Sequence, residues 1–311
     1  MTEIDVARHS LMIDPYLHIW GWEIPVYLFL GGMAAGLMIL TSLLGMRKDE
    51  RSPAARWLAF AAPVLVSVGM GALFLDLAYK VHVLRFYLAF RWTSPMSWGA
   101  WILVLVYPVT LLLALGGLDD AQAERTAGFL GRFGLGGIVR SLRQLALRHL
   151  SWLRWANLAV GVGLGVYTGI LLSTLGARAL WSSSLLGPLF LVSGVSTGAA
   201  FLLLFRLSPA ERHFATRWDL LAIGLEVLLI ALFLVGLATS SADGKSAAGL
   251  LLGGRYTAEF WSLVVFAGLV VPWVLEMLEF RFHLRATAVA PLMVLAGGFA
   301  LRWIMVAAGQ A

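Results

Sequence analysis

Trp20-Gly-Trp-Glu-Ile-Pro-Val-Tyr-Leu-Phe-Leu-Gly-Gly-Met-Ala-Ala-Gly36 sets the reading of the rest of the chain. Trp20, Trp22 and Tyr27 are amphipathic rings of the kind that sit at a membrane–water interface. Gly31, Gly32, Ala34, Ala35 and Gly36 then leave one side of an apolar helix almost without side chains. In lipid, such a face lets a second helix backbone approach closely. His18 and Glu23 flank it as polar groups at the mouth of a helix bundle. By itself the stretch is an interfacial belt followed by a packing face. A functional role requires other helices to bring polar groups to the same level.

Composition makes that stretch a membrane helix. Of 311 residues, 60% are hydrophobic and 13% charged, which is too little polar surface for a soluble domain of this size. The first residues, Met1 to Ile13, carry Glu3, Asp5, Arg8 and His9 and no long apolar run, so the first membrane helix is expected to direct insertion. Cysteine is absent, which removes disulfides, thiolate nucleophiles and Cys-ligated zinc or iron–sulfur centres from this chain. The net charge of +6 lies in the connections and reports orientation rather than nucleic-acid binding.

A span needs about 20 apolar residues. Eight segments qualify: Ile24–Met46, Trp57–Ala78, Trp98–Leu118, Trp152–Leu175, Leu185–Leu207, Trp218–Ala238, Phe260–Leu278 and Thr287–Ala307. The odd connections hold 15 Lys and Arg; the N-terminal segment and the even connections hold 7. That excess places both termini on the outer, periplasmic side of a bacterial inner (cytoplasmic) membrane, with the long connection 119–151 inside. Its Arg-rich end, Ile138–Arg148, is expected to form an amphipathic helix on the inner membrane surface or a solvated linker helix. Leu28-Phe-Leu-Gly-Gly-Met-Ala-Ala-Gly36 is echoed by Leu189-Phe-Leu-Val-Ser-Gly-Val-Ser-Thr-Gly198, and Arg56-Trp57 by Arg217-Trp218. The expected fold is thus one all-α integral membrane domain, 1–311. It comprises two four-helix bundles, 24–175 and 185–307, related as parallel repeats.

Chemistry is sought among polar groups in apolar runs. His9, His18, His82, His149, His213 and His283 all fall in connections or at span ends, which argues against a haem held between helices. No metal site is expected. Asp76 lies near the outer end of the second span and Glu226 deep in the sixth; these are the candidate catalytic acids. An acid in a membrane span faces a cavity or a partner, either functionally or as a structural pair with Arg or a hydroxyl. Glu276, near the inner end of the seventh span, is either a helix-end acid pairing with Arg281 or a further step in a relay. With Ser193, Ser196 and Thr197 about midway along the fifth span, Asp76, Glu226 and Glu276 offer groups at graded depths for a proton path. At the outer level lie His18, Glu23, Asp76, Ser97, Tyr167 and Thr168. Tyr167 sits among Gly161, Gly163, Gly165 and Gly169, which should leave space around its ring. A tyrosine hydroxyl, a His and an acid around an apolar slot suit a quinone, whose carbonyls need donors and whose reduction needs protons.

Tyr27-Leu-Phe-Leu-Gly-Gly-Met-Ala-Ala-Gly36, Leu75-Asp-Leu77, Ser94-Pro-Met-Ser-Trp-Gly-Ala-Trp101 and Tyr167-Thr-Gly-Ile-Leu-Leu172 together resemble the NrfD-like family. These are membrane subunits of polysulfide reductase, of the nitrite-reductase electron chain and of alternative complex III. The resemblance extends over all eight spans. It implies a haem-free site for menaquinone or ubiquinone near the outer face, exchanging electrons with a ferredoxin-type iron–sulfur subunit docked outside. A molybdenum enzyme or multihaem cytochrome would stand beyond that subunit. It implies that Tyr167 contacts the quinone, that His18 and Glu23 are polar ligands before the glycine-rich helix, and that Asp76 is the motif acid. The family's Gly-Arg-Pro after that acid is Ala78-Tyr79-Lys80 here. Arg85, Arg91 and Trp92, between the second and third spans, would present charge and aromatic area to the partner. The competing expectations are a secondary transporter or proton channel using the intramembrane carboxylates, and a structural anchor without quinone.

Overall fold

The structure, a computed structural model, describes residues 20–47, 51–77, 80–83, 85–88, 90–174, 178–282 and 287–311, without the side chains of Arg85 and Phe86. Among these residues eight helices are long and apolar enough to cross a membrane. They are α1 (Glu23–Met46), α2 (Pro53–Asp76), α3 (Pro95–Gly117), α4 (Leu150–Ser173), α5 (Leu186–Leu203), α6 (Pro209–Ala238), α7 (Thr257–Phe282) and α8 (Val289–Gln310). The expected spans are all present. Several begin earlier than hydropathy suggests, because capping chemistry and not apolarity sets helix starts. Ser208 caps α6 in a reciprocal box with Glu211, well before Trp218. Ser52 caps α2 by accepting from the Ala55 N–H at 3.2 Å.

α1 is the centre of the packing. It touches α2, α4, α5 and α8, and most of it is buried, whereas most of α7 is not. The glycine face explains this. Gly32 and Gly36 of α1 meet Gly194 and Gly198 of α5 backbone to backbone. A Cβ at Gly194 would lie 2.6 Å from the Gly32 carbonyl oxygen, and one at Gly198 would lie 2.7 Å from the Gly36 carbonyl carbon. The bare face of α1 thus packs on its own sequence echo. Gly161, Gly165 and Gly169 of α4 are filled in the same way, by α1 and α5. They close helix contacts and do not open space around Tyr167.

α2 is interrupted at Ala59–Phe60. α7 runs as a π-helix over Phe260–Val270 before returning to α-helix. There Gly268 lies against Gly297 of α8, where a Cβ would meet backbone at 2.5 Å. Between α3 and α4, the helices Asp120–Gly131 and Gly136–Arg148 pair with each other, and the second also packs on α3. Val139 and Ala146 are buried, while Ile138, Leu142 and Leu145 stay exposed.

Candidate functional site

At the end of the bundle that holds the even-numbered connections, α1 to α4 enclose a cavity of about 470 Å³. Its walls are apolar: Ile24 and Leu28 from α1, Met70, Leu73 and Phe74 from α2, Met96 and Leu103 from α3, Leu171 and Leu172 from α4. Four polar side chains interrupt them: Tyr27, Asp76, Tyr87 and Tyr167. Tyr27 and Tyr167 are both buried, face the cavity and lie near enough to influence each other. The Tyr167 ring lies over Gly99 of α3, where any Cβ would overlap it. Tyr87, on the connection after α2, is half-buried. Burial first, then Tyr107, pushes its hydroxyl up from its ordinary range, so it remains a donor at neutral pH. Asp76 ends α2 at the rim, with Glu23 as its nearest interacting charge. Trp20 completes the wall. Its backbone is clasped by Gln310 at the end of α8, with N–H to Oε1 at 3.0 Å and Nε2–H to the carbonyl at 3.1 Å. Its ring lies 5.2 Å from that of Trp181.

Of the residues singled out by sequence, Tyr167 and Asp76 line the cavity. Ser97 is buried but accepts from the Arg91 N–H at 3.0 Å, and Thr168 donates to the Gly165 carbonyl at 3.1 Å; neither is among the lining residues. Glu23 is half-buried beside the rim. His18 lies outside the described residues, as does the Arg85 side chain. Arg91 and Trp92 are exposed, and Trp92 meets Phe90 edge-on at 5.0 Å. Tyr27, whose spacing from Trp20 and Trp22 suggests a belt residue, is instead 5% exposed and faces the cavity. Of the described histidines, His82, His149 and His213, none lines it.

A second polar cluster lies between α5, α6, α7 and α8. Arg302 is fully buried, donating to Ser193 Oγ, to the Gly298 carbonyl at 3.0 Å and to the Phe190 carbonyl at 3.2 Å. Glu226 is 2% exposed, facing Arg302 across Ser193. Toward the end of the bundle that holds the odd-numbered connections, Asp219 of α6 accepts from Ser196 Oγ at 2.7 Å and adjoins Glu276 of α7. Glu276 is 2% exposed and does not pair with Arg281; both its oxygens and Asp219 Oδ2 lack a hydrogen-bond donor by geometry among the described residues. Thr197 spends its hydroxyl on the Ser193 and Gly194 carbonyls. Asp219 escaped the sequence reading, although its spacing of two helical turns from Glu226 places both acids on one helix face. The clusters approach the cavity along α1. Arg302 Nη2 lies 3.1 Å from the Cβ position of Gly32, about 7.5 Å along the helix axis from Tyr27.

Over residues 11–311 the chain matches the family model described as NrfD, polysulphide reductase. It is 34% identical to protein NrfD of Escherichia coli, over 94% of this chain and 95% of that one. It is 29% identical to a chain of the polysulfide reductase of Wolinella succinogenes, over 94% of each. To a subunit of the tetrathionate reductase of Salmonella typhimurium it is 24% identical, over 96% of this chain and 82% of that one. An eight-span helical chain matched over nearly its whole length in this way belongs to the NrfD polysulphide reductase family, membrane subunits of reductase complexes.

Proposed function

We propose that this chain is the haem-free, quinone-reactive membrane anchor of a multisubunit respiratory oxidoreductase in a bacterial inner membrane. The cavity carries the reading: an apolar chamber whose few polar groups are three phenols and one carboxyl. A quinone ring needs apolar walls for its faces and donors for its carbonyl oxygens. Tyr27 and Tyr167 each carry a phenolic hydroxyl able to donate to a carbonyl. Asp76 at the rim can exchange protons with the outer water. α2 and α3 touch only sparingly. Exposed Phe74 and Met96 flank that seam, a route for an isoprenoid tail into lipid. Reduction takes up two electrons and two protons per quinone. The electrons come from, or go to, a ferredoxin-type iron–sulfur subunit seated on Arg91, Trp92 and their neighbours, coupled to a molybdenum enzyme or multihaem cytochrome. That relatives bear the names of component chains of polysulfide and tetrathionate reductases supports such an assembly.

The buried acids support a proton route through α5 to α8. Glu276 and Asp219, adjoining acids on α7 and α6, form its inner station. Ser196, Glu226, Ser193 and Arg302 continue it toward Gly32 and the cavity. The two-bundle arrangement with both termini outside belongs to the same reading, because it puts the cavity on the outer side and Glu276 on the inner.

Tyr167→Phe tests the site. Losing one hydroxyl donor costs on the order of 1 kcal/mol of binding, about a five- to tenfold rise in the quinol KM, with assembly and melting unchanged. Wild-type quinol kinetics in the assembled complex would remove Tyr167, and with it the cavity, from the reaction.

A further inference from the structure

At the opposite end of the bundle, the end of the Arg-rich connections, two guanidiniums converge on one spot. Arg154 Nε lies 3.3 Å, and Arg51 Nη1 3.8 Å, from the Cβ position of Gly45 at the end of α1. Arg51 also faces Gly117 at the end of α3, with Nη1 and Nη2 3.2 and 3.4 Å from that Cβ position. Two glycines therefore make the room that these cations occupy. Among the described residues, no carboxylate pairs directly with either guanidinium. Asp119 is taken by Arg56. Glu211, the acid that acts on Arg51, is buried with both oxygens committed to backbone N–H groups, Oε1 to Ser52 and Oε2 to Ser208, each at 2.8 Å. Among the described residues no ion pair forms at Arg51 or Arg154, and Arg154 Nε is buried without a hydrogen-bond acceptor. Burial foremost, then Arg154 and Arg56 nearby, draws the Arg51 guanidinium below its ordinary value against the pull of Glu211.

We propose that Arg51 and Arg154 hold the phosphate of an anionic phospholipid between the ends of α1, α3 and α4. Planar guanidinium forks match phosphate oxygens, and basic pockets between spanning helices receive headgroups. The level is right for lipid: Trp152 and Trp155, on the same first turns of α4 as Arg154, are 66% and 61% exposed. Such rings sit at the headgroup boundary, where an acyl chain covers them and a free phosphate does not. The site lies away from the cavity and does not depend on what the cavity binds.

The test is lipid retention by the purified full-length complex, read by native mass spectrometry after delipidation and back-titration with phosphatidylglycerol. Phosphatidylcholine and inorganic phosphate serve as controls. The wild type is expected to hold one more tightly bound phosphatidylglycerol than an Arg51→Gln, Arg154→Gln double variant, with affinity reduced tenfold or more in the variant. Arg148→Gln, exposed on the connection helix, leaves the count unchanged. If the double variant does not assemble, Gly117→Ala serves instead, keeping both charges while crowding Arg51; it should lower retention. Equal retention by wild type and variants overturns the proposal, as does full competition by inorganic phosphate. Asp49 and Glu50 lie outside the described residues. If phosphatidylglycerol binds only after Asp49→Asn and Glu50→Gln, those acids are the counter-ions and the proposal fails.

Discussion

A methyl group at position 99 would occupy space that belongs to the Tyr167 ring, which makes Gly99 a sharper probe of the cavity than most of its lining residues. Gly99→Ala is expected to displace the ring at an overpacking cost of about 1–3 kcal/mol. Quinol turnover should fall while the eight-span bundle still assembles; kinetics and melting of the same preparation separate the two. Arg302 makes a different kind of prediction. Replacing it by Gln leaves Glu226 buried without its counter-charge, which costs about 3 kcal/mol or more. The Glu226→Gln, Arg302→Gln double variant should melt above Arg302→Gln alone, the coupling being read as a double-mutant cycle. Tyr167, Asp76 and Glu226 are legible in the sequence because a hydroxyl or a charge stands out in an apolar run. Asp219 is not, because it follows Trp218 where hydropathy alone marks a boundary. Tyr27 reads as a belt residue, since an amphipathic ring near a helix start looks the same whether it faces lipid or a cavity.

The glycines of α1 differ among themselves in a way that composition hides. Gly31 has open space where a Cβ would go, whereas Gly36 has the Gly194 carbonyl there. Gly31→Ala should therefore be neutral or slightly stabilising, since Ala is the better helix former by about 1 kcal/mol. Gly36→Ala should force α1 and α5 apart and reduce the yield of folded monomer in detergent size-exclusion chromatography. Equal yields from the two variants would falsify the backbone contact. That α1 packs through a bare face is readable from Gly31 to Gly36. Which helix it meets is suggested only by the echo in Leu189–Gly198, because sequence pattern gives a helix its face but not its neighbour. The early starts of α2 and α6 are written in Ser52 and in Ser208-Pro-Ala-Glu211, a signal of polar caps that an apolar count passes over.

Across the whole molecule, the charge of the connections predicts sidedness. The chain has no cysteine, so single introduced thiols report it cleanly. Ser141→Cys, exposed on the connection after α3, should react with a membrane-impermeant maleimide only in inside-out vesicles. Ser182→Cys, exposed between α4 and α5, should react only in right-side-out ones; the reverse result turns the molecule over, and the cavity with it. If protons cross through α5 to α8, Glu226→Gln in proteoliposomes should abolish charge movement while quinone still binds; unchanged potential generation leaves Glu226 as a structural residue. The expectation of a transporter meets a mechanical obstacle in the crossing of Gly32 and Gly36 with Gly194 and Gly198. Carriers that ferry solutes do so by rocking one half against the other about a loosely fitted seam. Here, at these four glycines, the seam is backbone pressed on backbone. Opening it to one side and then the other would mean prying apart a close backbone contact at every turnover. A frame so fixed is at odds with a carrier of solutes and agrees with the proposed proton route, which asks only for passage from group to group.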